Sequence, residues 1–301
     1  DKEWDMFRQD DGKIYWANVF QNTYGENRGT THNDEAFWIQ AKVLAWDNYP
    51  TIETLDQYFD LLARYVEANP TMEDGTKYIP YTALCEDWRY FCIENAPQFL
   101  DGYPNDGSVI VEKGDTPTIV DYNTTDTAYK YFKKLNEVYA AGLMDVEFAT
   151  QTYDEYIAKL STGQILGMCD QWWDFAYTVN DVFKTTGLDQ QGCNFVPLGL
   201  TIEAGMDNRW HTYGDTLNNS SGVGITTNVE DVDRAFQFLN DLLDQEIHDL
   251  RFWGVEGVDY EVDENGLYYR TEEMRAKAAD TEYQASHLCG YSYLPQWGGT
   301  S

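Results

Sequence analysis

Five consecutive residues near the middle of the chain have side chains that suit a sugar ligand. Trp172 and Trp173 stand side by side, and their polar neighbours are Asp170, Gln171 and Asp174. Flat apolar rings stack on the C–H faces of sugars, while carboxylate and amide oxygens bind sugar hydroxyl groups. The pattern therefore favours carbohydrate binding. The alternative from the same residues is structural, with the tryptophans closing a hydrophobic core and Asp174 capping a helix.

The residues before this group predict the elements that position it. Thr152 and Glu155 have the spacing of a capping box, so we expect a helix to begin at this point. Gly163 suits the left-handed end of that helix, because it has no Cβ. Residues 165–169 then form an apolar run of strand length. This order places the tryptophans at the carboxyl end of a buried strand, where ligands bind in open α/β sheets.

Apolar periodicity in the rest of the chain predicts helices that alternate with strands, which is the pattern of an α/β fold. The predicted helices cover residues 34–49, 54–69, 87–99, 126–141 and 228–243. Thr54 with Gln57 forms a second capping box, and Asn228 caps the last helix, on which residues such as Val232, Phe236 and Leu242 face inward. Strands are predicted at residues 14–19, 193–198 and 223–227, a turn and a strand at 72–84, and a hairpin at 101–121. Beyond Arg251 the periodicity fades, and no regular element is predicted there.

The charge balance excludes nucleic acid as a partner. Fifty-two acidic residues stand against 20 basic ones, which gives a formal net charge of −32, and nucleic acids and anionic membranes need clustered Lys and Arg. No apolar run approaches the ~20 residues that span a bilayer. The chain shows no secretory signal and begins without methionine, so we interpret it as part of a longer, processed or truncated chain.

The aromatic and cysteine contents carry weaker information. The 23 Tyr and 10 Trp are typical of proteins that bind polar, ring-shaped ligands, and equally of an aromatic-rich core. Five cysteines without CxxC spacing leave one disulfide open, for example Cys85–Cys92. The four histidines are scattered and make no metal-binding spacing, so we expect no metal and no cofactor.

Several stretches, taken in order, resemble the extracellular solute-binding proteins of carbohydrate-type ABC importers, in the larger lipoprotein form common in Gram-positive bacteria. They are DGKIYWAN, YPTIETLDQYFDLLARY, DGTKYIPYTAL, YFKKLNEVYAAGLMDVEF, TYDEYIAKLSTGQILGMCDQWWDF, DVDRAFQFLNDLL and FWGVEGVDYEVDENG. The resemblance implies a periplasmic-binding-protein-like α/β fold with a ligand cleft between two lobes, one of them incomplete. It implies that residues 1–20 and 206–250 belong to the first lobe with its crossing strands, and 21–205 to the second. Residues 251–301 form a return segment of uncertain assignment.

The resemblance also implies a function. We expect a non-catalytic monomer at the outer cell surface, held by a lipid anchor, that passes a mono- or oligosaccharide to an ABC permease. In similar proteins the aromatic residue after the strand stacks on the sugar, which here is Trp172 or Trp173. Further candidate contacts are Trp210 and Tyr213 in the long loop 201–222, Trp88 and Arg89 in the aromatic helix, and Trp16 beside the first crossing. Gln40 stands where many relatives carry an arginine, which puts an anionic contact there in doubt.

Two alternatives come from other ligands or chemistry. A glycoside hydrolase needs two carboxylates ~5–9 Å apart, one with a raised pKa, and Asp170 with Asp174 is the best such pair. No GxSxG, HExxH or phosphate-loop motif is present, and the VDENG stretch lacks the full calcium-loop pattern. The second alternative is the same fold with a peptide or another small solute. The aromatic residues and the negative charge favour sugar.

Overall fold

The computed structural model describes residues 5, 7–18, 35–103, 109–111, 119–208, 222–288 and 294–295. Contacts between Cα atoms divide the chain into two compact units, one formed by residues 1–28 with 213–301 and the other by residues 29–212. Over the described ranges, the helices are too short or too polar to cross a membrane.

Helices account for most of the regular structure. The α-helices in the described part of the chain are α1 (Ala41–Trp46), α2 (Leu55–Ala68), α3 (Phe91–Glu94), α4 (Ala96–Leu100), α5 (Asp126–Ala140), α6 (Tyr153–Ser161), α7 (Trp172–Thr186), α8 (Val232–Asp241), α9 (Gln245–Phe252), α10 (Glu272–Ala279) and α11 (Thr281–His287). Short 3-10 helices cover Asp87–Tyr90, Tyr122–Thr124 and Asp189–Gln191.

The strands are short and form several small sheets. They are β1 (Ala17–Asn18), β2 (Glu35–Gln40), β3 (Val109–Val111), β4 (Ile119–Asp121), β5 (Gly167–Gln171), β6 (Phe195–Leu198), β7 (Gly222–Val223), β8 (Glu261–Val262) and β9 (Tyr268–Tyr269). The largest sheet has the order β5-β2-β6, with β2 antiparallel to both neighbours. The other sheets are the antiparallel pairs β1–β7, β3–β4 and β8–β9.

The central strand β2 corrects a sequence prediction. Residues 34–49 were expected to form one helix, but residues 35–40 are a strand, and the helix α1 follows only after Gln40. Every residue of β2 is buried. A strand that is covered on both faces reads as a continuous apolar run, which periodicity cannot distinguish from a buried helix. The predicted α/β class holds, since helices cover this sheet.

Alternate residues of β2 belong to two different hydrophobic clusters. Phe37 and Ile39 lie in the first core cluster with residues of α2 and α5, such as Tyr58 and Tyr131. Ala36 and Trp38 lie in the second core cluster with residues of α6 and α7. Successive side chains of a strand point to opposite faces, so one strand supplies both cores. The sheet is therefore the middle layer of the unit formed by residues 29–212.

Local signals at helix ends are confirmed. Thr54 with Gln57, and Thr152 with Glu155, both form the predicted capping boxes at the starts of α2 and α6. Gly163 follows α6 with a positive φ of 77°. The helix predicted from residue 126 is α5, and the hairpin predicted at 101–121 is the β3–β4 pair. These signals depend on a few neighbouring residues, so they do not require knowledge of the tertiary structure.

The prediction of one continuous aromatic helix over residues 87–99 is wrong. The segment is a 3-10 helix followed by α3 and α4, and Pro97 lies at the start of α4. Proline has no N–H to donate to the carbonyl four residues earlier, so it is tolerated in the first turn of a helix and interrupts a longer one. The segment predicted as a turn and a strand at 72–84 makes only isolated bridges, such as the parallel one between Thr82 and Met168.

The unit formed by residues 1–28 and 213–301 differs from the prediction in three ways. Asp231, and not Asn228, caps α8. Val232 and Phe236 were expected to face inward and are exposed, whereas Leu242 is buried as predicted. Beyond Arg251 the chain forms β8, β9, α10 and α11, where no element was predicted. Two-residue strands and helices without an apolar stripe leave no periodic pattern in the sequence.

Gly167 offers a test of the packing under the sheet. A Cβ at this position would lie 2.1 Å from the Tyr58 hydroxyl, which donates to the Trp38 carbonyl at 2.7 Å. We expect Gly167→Ala to lower the free energy of unfolding by about 3 kcal/mol, because the packed core cannot move aside. Urea unfolding measures this loss.

Tyr58→Phe provides the matched background for that test. It removes the hydroxyl that the new methyl group meets, so Gly167→Ala should cost clearly less in Tyr58→Phe than in the parent protein. Equal costs in the two backgrounds would show that the close approach of Gly167 and Tyr58 is not what requires glycine.

Candidate ligand-binding site

The predicted binding residues lie where β5 passes directly into α7. Asp170 and Gln171 are the last residues of the strand, and Trp172 is the first residue of the helix. Asp174 lies in the first turn of α7 and does not cap it, since Gln171 occupies the capping position. A carboxylate in the first turn still interacts favourably with the helix dipole. The structural alternative for Asp174 as a helix cap is therefore wrong.

Trp173 lies in a group of aromatic rings that contains two exposed indoles. Trp88 and Trp173 stack at 5.9 Å between ring centroids, with 15° between their planes. Phe91 lies 5.8 Å from Trp88 and 6.0 Å from Trp173. Trp88 is 48% exposed and Trp173 is 45% exposed. We call these three residues the aromatic cluster, and its exposed rings have the character of a stacking surface for a sugar.

Trp172 has a different environment from its neighbour. Its ring is partly buried and packs against the second core cluster, and it meets Tyr177 edge-on at 4.8 Å between centroids. The sequence left open which of the two tryptophans faces a ligand. In the structure Trp173 is the more exposed ring, and Trp172 joins the core.

Arg89 ties the aromatic cluster to the start of α7. Its guanidinium lies 4.5 Å from the ring centroid of Trp88 and 3.9 Å from that of Tyr153. Its Nε donates to Asp174 Oδ1 at 3.2 Å. Tyr153 in turn donates its hydroxyl to the Asp174 carbonyl at 2.7 Å, and its backbone N–H to Glu86 at 2.6 Å. Cation–π contacts and a charged hydrogen bond thus hold the rings in place.

Two residues of this arrangement were not predicted as site residues. Phe91 and Tyr153 reach the site from α3 and from the first turn of α6. Neither carries a sequence signal for the site, because tertiary packing alone brings Phe91 to Trp173 and Tyr153 to Arg89. The pairing of Trp88 with Arg89 did carry a signal, and the structure places both beside Trp173 and Asp174.

Asp170 points into the protein. Its carboxylate accepts hydrogen bonds from the Tyr156 hydroxyl at 2.7 Å, the Cys92 thiol at 3.2 Å and the Gln171 N–H at 2.7 Å. Burial, and to a lesser extent the nearby charge of Asp174, raise the pKa of Asp170 to about 7. Asp170, Gln171 and Asp174 are all buried. They form the base of the site, and the aromatic cluster forms its surface.

The same buried groups fit a metal ion poorly. The Cys92 sulfur and carboxylate oxygens of Asp170 and Asp174 lie within 4.8 Å of one another. However, burial raises the pKa of the Cys92 thiol well above its usual value, and metal binding needs the thiolate. Arg89 already places a positive charge at Asp174. The chemistry of this donor set therefore opposes a second cation.

The remaining predicted contacts belong to the other compact unit or lie outside the described residues. Trp16 is partly buried in the unit of residues 1–28 and 213–301, where its ring lies against Gly222. Trp210 and Tyr213 lie outside the described residues. Gln40 is buried and donates its amide to the carbonyls of Gly163 and Ile165, so it joins α1 to the chain that leads into β5.

The cysteine pair left open by the sequence is not bonded. Cys85 and Cys92 are both free thiols, as are Cys169 and Cys193. Cys92 lies on α3, and its thiol instead donates to Asp170 on β5.

Solved structures show which class of protein has this fold. An extracellular solute-binding protein from Bifidobacterium longum subsp. infantis superposes with a TM-score of 0.64 and 15% identity, covering 98% of this chain and 58% of its own. An HMO-binding, ABC-transporter-associated solute-binding protein from B. longum infantis gives a TM-score of 0.60 and 16% identity, covering 92% and 55%. FusA, an ABC-transporter substrate-binding protein of Streptococcus pneumoniae in complex with kestose, gives 0.62 and 15%, covering 98% and 56%. Neither a family model nor a curated protein matches the sequence.

The chain therefore has the fold of ABC-transporter solute-binding proteins, as the sequence resemblance predicts. It spans between 55% and 58% of the length of these three neighbours. Similarity at this level of identity establishes the fold, and the ligand has to be argued from the site itself.

The buried carboxyl group of Asp170 predicts a pH dependence of stability. Its pKa of about 7 in the folded protein lies above the ordinary value of 3.8, so the folded state holds this proton more tightly than the unfolded state. The stabilisation is complete below about pH 4 and is lost as the pH rises towards 7. Relative to Asp170→Asn, the parent should lose up to about 1.4 kcal/mol per pH unit in this range.

Urea unfolding of both proteins at intervals between about pH 4 and pH 8 measures this difference. The comparison isolates Asp170, since the other acidic residues are common to both proteins. Asp181→Asn is the control, because Asp181 is exposed on α7. Parallel pH profiles for the parent and Asp170→Asn would contradict the prediction.

Proposed function

We propose that this chain belongs to an extracytoplasmic protein that binds a mono- or oligosaccharide and delivers it to an ABC permease. The observation that carries the proposal is the pair of exposed, stacked indoles of Trp88 and Trp173 at the end of β5. The carbohydrates named for two neighbours of the same fold, HMO and kestose, support it. The protein is held at the outer cell surface by a lipid anchor, binds as a monomer and performs no chemistry on the sugar.

In this proposal the exposed and buried residues have separate roles. Trp173 and Trp88 stack on the apolar face of the sugar, and the Nη groups of Arg89 donate to its hydroxyl groups. The buried residues support the rings, because they fix the first turn of α7; they are Asp170, Gln171 and Asp174. Rigid placement of the rings matters, because side chains that are already ordered lose little entropy on binding.

The two-lobed organisation stays part of this proposal. Residues 21–205 would form one lobe, and residues 1–20 with 206–250 would belong to the other. Closure of such lobes is favoured when the ligand makes contacts in the closed state that the open state lacks. Trp16, Trp210 and Tyr213 are proposed ligand contacts on the same basis, and Trp172 lines the site from the core side.

Hydrolysis of the sugar is the alternative that one observation favours. The pKa of Asp170 is raised to about 7, as the general acid of a glycoside hydrolase requires, and carboxylate oxygens of Asp170 and Asp174 lie within 4.8 Å of each other, just short of the spacing such enzymes use. Both residues are buried, however, and Asp174 is bonded to Arg89. A scissile bond could not reach the pair in this structure, so binding without cleavage is the better conclusion.

The stacking role is tested by single substitutions in the full-length protein. We expect Trp173→Ala and Trp88→Ala each to weaken sugar binding about 10- to 100-fold, which corresponds to ~1–3 kcal/mol per lost stacking surface. A thermal-shift screen of the parent against neutral mono- and oligosaccharides identifies the ligand, because a ligand of the folded state raises the melting temperature. Calorimetric titration then gives the affinities of the variants.

Trp46→Ala is the matched control for these variants. Trp46 is 40% exposed in the same unit and also lies near an arginine, Arg64. Its removal should leave the affinity unchanged. Parental affinity in both cluster variants would refute the stacking role, and recovery of shortened sugars from the mixtures would establish a hydrolase.

A further inference from the structure

The aromatic cluster lies in an acidic environment. Among the described residues in contact with its rings, Arg89 supplies the positive charge. Asp174 lies 3.2 Å from that guanidinium, and Asp170 lies beside Asp174. Glu86 is bonded to the backbone of Tyr153, and Asp154 is the next residue along α6. One arginine thus stands beside Asp174 and Asp170, while Glu86 and Asp154 lie next to Tyr153, in a protein whose formal net charge is −32.

The charge of Arg89 is compensated within the protein. Its Nε is bonded to Asp174, and the rings of Trp88 and Tyr153 lie at 4.5 Å and 3.9 Å from the guanidinium. An arginine that is to bind a ligand carboxylate needs its charge and its paired N–H groups free. Within the described part of the chain, the Nη groups of Arg89 are the donors that remain available to a ligand. They suit hydroxyl oxygens, which need donors and no net charge.

We propose that the aromatic cluster selects neutral sugars over sugars that carry a carboxylate or a sulfate, and that Asp174 determines this specificity. The inference rests on the proposed function, since it names the class of sugar for the same site. An acidic sugar stacked on Trp88 and Trp173 would meet an arginine that Asp174 already neutralises, in a protein of strongly negative net charge, and like charges near a partly buried site repel. A neutral sugar meets no such penalty.

The test compares matched sugars on a glycan array. The array carries lacto-N-tetraose beside its sialylated form, N-acetyllactosamine beside its sulfated form, and α-1,4-galactotriose beside trigalacturonate. We expect the parent protein to bind neutral members at least tenfold more tightly than their acidic partners. Raising the salt concentration from about 0.02 M to about 0.5 M should narrow this ratio, because salt screens charge repulsion.

Asp174→Asn tests the residue itself. It leaves the charge of Arg89 uncompensated while both ring contacts of the guanidinium remain, so the preference for neutral over acidic sugars should fall at least tenfold. Asp181→Asn removes the same charge from an exposed position on α7 and should leave the preference unchanged. The double variant Asp174→Asn with Arg89→Gln should lose the tighter binding of acidic sugars expected for Asp174→Asn, because the arginine that would attract them is absent.

The outcomes separate this inference from the proposed function. Equal or tighter binding of acidic members by the parent would overturn the neutral-sugar specificity and leave sugar binding intact. Equal effects of Asp174→Asn and Asp181→Asn would overturn the role of Asp174. No binding to any glycan would overturn the proposed function and this inference with it. If Asp174→Asn does not fold, the salt dependence of the parent still tests the charge repulsion.

Discussion

The structure of residues 29–212 depends on the burial of β2 on both faces. A central strand has no solvent-facing side, so each of its residues needs a packed partner above or below the sheet. Phe37 and Ile39 require the first core cluster, while Ala36 and Trp38 require the second. Helices must therefore cover both faces. The paired strand β5 and the helix α7 that follows it are held in a single position as a consequence.

Hydrogen bonds from β2 side chains and packed helices make that position specific. The Trp38 indole donates to the Asp170 carbonyl at 2.8 Å, and the Tyr58 hydroxyl donates to the Trp38 carbonyl at 2.7 Å. At the other end of β5, the Gln40 amide binds the carbonyl of Ile165 at 2.6 Å. Buried backbone carbonyls need such partners. The tryptophan-bearing turn is thus anchored to the core on both sides of the strand that leads into it.

Sequence analysis predicts the parts of this fold that neighbouring residues determine. Capping boxes at Thr54 and Thr152 and the glycine at 163 involve backbone groups only a few positions apart, so their meaning does not depend on the tertiary structure. The nature of β2 depends instead on what covers it. Its run of Ala36 to Ile39 suits a buried helix and a buried strand equally well, and only the pairing with β5 and β6 decides between them.

The candidate site also combines local signals with features that only tertiary packing decides. Its adjacent tryptophans, Trp172 and Trp173, fitted both a structural and a ligand-binding interpretation. Successive residues of a helix point about 100° apart, so two adjacent side chains at its start can have different surroundings. Trp172 packs against the second core cluster, and Trp173 stacks with Trp88 at the surface. The structural interpretation therefore holds for Trp172, and Trp173 keeps the exposed face that the ligand-binding interpretation needs. The inward ring anchors the helix, and that anchoring fixes where the outward ring stands.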